Sequence, residues 1–69
     1  MLQIGDRVAI PGHPASYTLS NPAYIYPGMV IGYEDGNVVV RLDEAVRYQD
    51  TDIWTQEVSV QTTSCRKLP

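Results

Sequence analysis

Cysteine and histidine each occur once in this 69-residue sequence, and phenylalanine does not occur at all. A single cysteine, Cys65, excludes an intramolecular disulfide, and a single histidine, His13, leaves a Cys/His zinc site short of ligands. No metal or cofactor is expected. Basic residues are scarce too: five Lys and Arg stand against eight Asp and Glu, for a net charge of −3. Proteins that grip phosphates need a dense cationic surface, because each neutralised phosphate releases counterions, so this balance argues against nucleic acid as a partner. No apolar run approaches the roughly 20 residues that cross a bilayer, and the opening MLQIGDRVAI lacks the basic and long apolar regions of a secretory signal. The expectation is a soluble cytoplasmic protein with no membrane partner.

Residues 1–69 form one domain, and a domain of this size buries only about 60% of the surface its unfolded chain exposes. Its core is therefore thin. With disulfides and metals excluded, good packing and self-association are the remaining sources of stability. Val, Ile and Leu are spread along the chain between single charges, which is the composition of an ordered fold.

Period-two alternation marks the strands. In DRVAI (6–10), Val8 and Ile10 share one face, and Pro11-Gly12 ends the run. MVIGYE (29–34) and VVVRLD (38–43) flank Asp35-Gly36-Asn37, which can supply the positive-φ residues of a tight hairpin turn. Val38, Val40 and Leu42 then face inward, since a one-residue slip would bury Arg41. Gly32, inside a strand, marks a bulge or sharp bend. EAVRYQDTD (44–52) is expected as a surface loop or distal turn, and IWTQEVSV (53–60) as the next strand, with Trp54, Val58 and Val60 on one side. Thr62-Thr63-Ser64 suits a 3₁₀ turn before a short last strand, CRKL, stopped by Pro69. The class is all-β, with about five strands.

Between the first strand and the hairpin lies GHPASYTLSNPAYIYPG (12–28). Loops longer than about 12 to 15 residues without internal structure are uncommon in small domains and tend to be functional. The prolines at 11, 14, 22 and 27 argue for an ordered loop. Tyr24 and Tyr26, two apart, share one side of an extended segment, and Tyr17 sits at the preceding bend. A tyrosine ring with its polar tip suits both the rim of a thin core and a protein interface. Either these rings roof the core or they are exposed together as a contact for a partner protein or a second copy.

Constellations for chemistry are weak. His13 with Ser16 has no triad-like spacing, and triads are defined by geometry. Asp50-x-Asp52, with Asp43 and Glu44 nearby, lacks the ligand number and turn glycine of a calcium loop and reads as a solvated acidic segment. Cys65 would need a neighbouring cation to become reactive, but Arg66 points to the opposite face of a strand, so a structural thiol is expected. Trp54 is either a binding aromatic or, in a chain without phenylalanine, the largest block of the core.

The order strand, long loop, hairpin, strand, 3₁₀ turn, strand resembles that of SH3-like five-stranded barrels, and nearly the whole chain is involved. GDRVAI (5–10) resembles the G-D-x-V-x-I opening of such barrels, PGMVIGYEDGNVVVRLD (27–43) is similar to the hairpin segment of KOW modules, and SCRKLP (64–69) resembles a closing strand. In KOW-type barrels the hairpin region is basic, whereas Glu34, Asp35, Asp43 and Glu44 stand there in this chain. VVVRLDEAV (38–46) looks like the central strand of photosystem I subunit IV, whose basic docking surface has no counterpart here. GDRV and GMVIGYE are similar to segments of plasmid-type dihydrofolate reductase, a tetramer with Val-Gln-Ile-Tyr in its pore. Here Val60-Gln61 is followed by Thr62-Thr63.

Together these features imply a small non-catalytic interaction or accessory subunit, with Tyr17, Tyr24, Tyr26, Tyr33 and Trp54 as candidate contact residues. A homo-oligomeric enzyme with a site on its symmetry axis and a KOW-like nucleic-acid module are the alternatives.

Overall fold

Val8 and Ile10, expected to share a buried face, are 0% and 2% exposed in β1 (Arg7–Pro11) of a computed structural model that describes residues 1–69. β2 (Ile25–Glu34) and β3 (Asn37–Arg47) follow as the predicted hairpin. Its two-residue turn is Asp35-Gly36, with φ of 49° and 81°, and Glu34 pairs with Asn37. Positive φ at both central positions matches the right-handed twist of the flanking strands, and glycine meets it without a Cβ clash. β4 (Trp54–Val60), a 3₁₀ turn (Thr62–Ser64) and β5 (Arg66–Lys67) complete the chain.

The five antiparallel strands form one sheet in the order β4-β3-β2-β1-β5. That sheet is not closed, which corrects the expected barrel. Two-residue β5 pairs only with β1, β4 pairs only with β3, and the two edges do not meet. The register of β2 against β3 shifts between Val30 and Gly32, so Ile31 is the extra residue of a bulge at the position the in-strand glycine marked. No helix is long and apolar enough to cross a membrane.

Val8, Ile10, Leu19, Val30, Val38, Val40 and Leu42 form the buried cluster, each at most 4% exposed. Leu2, Tyr26, Val46, Val58, Val60 and Cys65 pack around it, half-buried. Val39, Arg41 and Asp43 take the other face of β3, as the alternation required. On that outer face Arg7, Met29, Arg41 and Glu57 lie in one row across four strands.

Two strand boundaries and the facing of one side chain differ from the sequence pattern. β2 begins at Ile25, so the last four residues of the expected loop pair with β1, Tyr26 opposite Ile10 and Pro27 opposite Ala9. Pro27 is tolerated because the β3 ladder starts only at Gly28, opposite Leu42. β3 runs on to Arg47 through the supposed loop, bringing half-buried Val46 to the core. Finally, Trp54 is 62% exposed, not inward. The β3–β4 register moves from Arg41↔Glu57 to Val46↔Thr55, an offset of three residues. An odd offset reverses which side of β4 faces the core, so Thr55 sits opposite Val46 and Trp54 opposite Arg47.

Candidate functional site

The Tyr/Pro segment is tied to itself and to the sheet by backbone bonds. At its base, Gly12 N–H donates to Tyr24 O (2.9 Å), and His13 N–H donates to Leu19 O (2.8 Å). Leu19, 4% exposed, plugs into the core and anchors the middle of the loop. A Cβ on Gly12 would come within 1.9 Å of Asn21 O, so only glycine lets the two sides of the base approach this closely. The tip is linked to the distal turn by Gln49 N–H donating to Tyr17 O (2.8 Å).

Short polar side chains hold the bends between these anchors. Ser16 Oγ accepts from the N–H groups of Leu19 (2.9 Å) and Thr18 (3.3 Å), and Asn21 Oδ1 accepts from Ala23 N–H (3.0 Å), the local bonds that make Ser and Asn turn formers. His13 Nδ1 accepts from Ala15 N–H (3.1 Å). His13 and Ser16 therefore both spend an acceptor on loop amides.

Tyr24 and Tyr26 meet edge to face, with ring centroids 4.7 Å apart and planes at 75°, the arrangement the aromatic quadrupole favours. Tyr26 packs against the core, and its hydroxyl oxygen accepts from Asn21 N–H (3.2 Å). Tyr24 and Tyr17 are 46% and 74% exposed. The loop thus divides its rings: one roofs the core and two face outward.

Beside this pair lies a cleft of about 250 Å³, lined by Tyr24, Tyr26 and Pro27 on one side and by Leu42, Asp43, Glu44, Ala45 and Val46 on the other. It opens where β3 leaves its partners. The β2 ladder stops at Gly28↔Leu42, and the β4 ladder breaks between Arg41 and Val46. Glu44 holds an inward parity on β3, but at this gap it is exposed and takes part in no ion pair. The sequence pattern missed this wall because Glu44 interrupts the inward series Val38, Val40, Leu42. Val46, which resumes the series, was the available signal.

The other candidates lie apart. Tyr33, 57% exposed, pairs with Val38 near the hairpin turn, and its hydroxyl donates to Leu2 O (2.8 Å). Trp54 stands opposite Arg47 at the far end of β3. Of the five tyrosine and tryptophan candidates, only Tyr24 and Tyr26 are brought together.

Cations are mostly engaged. Arg7 bonds Asp43 with both terminal nitrogens (2.7 and 2.5 Å), Arg41 reaches Glu57 (3.5 Å), and Lys67 reaches Asp6 (3.6 Å). The hydrogen bonds from Arg7 hold the Asp43 carboxyl below the usual carboxylate range. Burial pushes the half-buried Cys65 thiol up, away from the thiolate form that reacts.

Compared with known proteins, the chain matches no family model, no curated protein and no solved structure.

Proposed function

We propose that this protein is a small non-catalytic interaction subunit that contacts a partner protein through the Tyr/Pro loop and the cleft beside it. The observation that carries the reading is the exposed Tyr24 ring, fixed edge to face on a core-anchored Tyr26 at the mouth of a cleft whose walls are part apolar and part acidic. Tyrosines held in place before binding lose little conformational entropy on contact, which is why aromatic residues dominate binding energy at interfaces. Glu44 at the rim, without an ion-pair partner, suits a partner segment that is neutral or basic where it touches.

The order of elements supports an SH3-like domain in which the first loop and the distal end of the sheet form one face. In this reading the strand ladders on either side of Asp43–Ala45 are left open as part of the binding face.

Capture of partners from the native lysate tests the proposal. Wild-type protein is expected to retain a protein that Tyr24→Ala loses while Tyr24→Ala keeps its fold; equal retention by both would refute it.

A further inference from the structure

The two edges of the sheet are built differently. The β5 edge is two residues long, both cationic (Arg66 and Lys67), and is followed by Leu68 and Pro69. Shortness, positive charge and proline are the devices that stop an edge from pairing with another chain. The β4 edge has none of them. It offers seven residues, Trp54–Val60, with no Pro and no Lys or Arg, and its single charge, Glu57, faces Arg41. Its only strand neighbour is β3, and no backbone bond outside the strand ladders involves residues 54–60. The side-chain bonds of this strand go to β3 or stay local: Gln56 Nε2 donates to Leu42 O (2.8 Å), Arg41 donates to Gln56 Oε1 (3.4 Å) and Glu57 Oε2 (3.5 Å), and Thr55 Oγ1 donates to Glu57 O (3.0 Å).

The structure assigns a second copy of this chain to the β4 edge, paired antiparallel about a two-fold axis at Val58. Three properties of the strand select that occupant and that register. Centring on Glu57 would set two carboxylates opposite each other, which is destabilising. Centring on Val58 instead places Val58 against Val58 of the second copy, joining two half-buried valines that already pack on the core of each chain. The same register sets each Glu57 carboxylate opposite a Ser59 hydroxyl on the outer face, an acceptor facing a donor. Because the β5 edge is blocked, such pairing closes at two chains and gives a ten-stranded sheet without open-ended growth. The assignment stands independently of the Tyr24 cleft, which lies on the other side of β3.

Sedimentation or light scattering over a dilution series from micromolar to millimolar protein tests it, with Ser59→Glu and Ser59→Lys as paired variants. Ser59 is exposed, so both variants keep the monomer fold. The wild type is expected to dimerise with rising concentration. Ser59→Glu, which sets two like-charge pairs across the axis, weakens the dimer by about tenfold, and Ser59→Lys, which faces Glu57, maintains or tightens it. Amide exchange at residues 57–60 slows as the dimer forms. A monomer at every concentration overturns the assignment, and so does a dimer whose affinity shifts in the same direction in both variants.

Discussion

Arg7 on β1 and Asp43 on β3 join across the strand that separates them, the two guanidinium nitrogens reaching over β2 to both carboxylate oxygens. The pair ties three strands together on the outer face, beside Met29 and Arg41. Because both side chains are solvent-accessible, its contribution is to register more than to total stability.

The pair predicts a titration. Asp43 should protonate below the ordinary aspartate range, and Arg7→Gln should return it to that range, as read from its carboxyl carbon shift by NMR. Since the folded-state pKa is the lowered one, the stability the pair supplies is present above the unfolded-state value and is lost as pH falls through the folded one. An Asp43 titration unchanged by Arg7→Gln would contradict the pairing.

Core and surface separate cleanly along β3 and β4. Leu42 is 2% exposed and Trp54 62%. Leu42→Ala should cost about 2 to 5 kcal/mol, a large share of the roughly 3 to 10 kcal/mol a domain of this length commands. Trp54→Ala should change stability by no more than about 0.5 kcal/mol, because a surface side chain leaves no cavity. Urea unfolding measures both, and a Trp54→Ala loss as large as that of Leu42→Ala would place the indole in the core.

Most of the sheet was legible in the sequence because its signals are local. Val38, Val40 and Leu42 alternate without interruption, and Asp35-Gly36 carries the backbone preference of its own turn. What was hidden depends on pairing between distant segments. Trp54 shares a parity with Val58, and nothing within β4 announces the three-residue offset that turns it outward, because that offset is set by β3 at residues 42–45. The cleft was half legible for the same reason. Tyr24 and Tyr26 stood out as a pair two residues apart, whereas the opposing wall was masked by Glu44, a charge at an inward position that is acceptable only where the ladders open. Leu19, with Tyr17 and Asn21 two residues to either side, gave no periodic signal at all.

The loop's rigidity rests on its base. Gly12→Ala must force Asn21 O away, so it is expected to destabilise the protein by about 1 to 3 kcal/mol. Amide exchange at Gly12 and His13 should accelerate together, since their acceptors, Tyr24 O and Leu19 O, lie on the displaced side. Native exchange rates at both amides in the variant would contradict the closed base.

The central claim is that Tyr24, Tyr26 and the β3 wall form the contact for a partner. The most direct measurement is the amide chemical-shift footprint of a captured partner on the isotope-labelled protein. The account predicts shifts concentrated at Tyr17, Tyr24, Tyr26 and Glu44–Val46, with Arg7, Met29 and Arg41 on the outer face unmoved. A footprint centred on the outer face, or one that leaves Tyr24 and Glu44 unchanged, would contradict it.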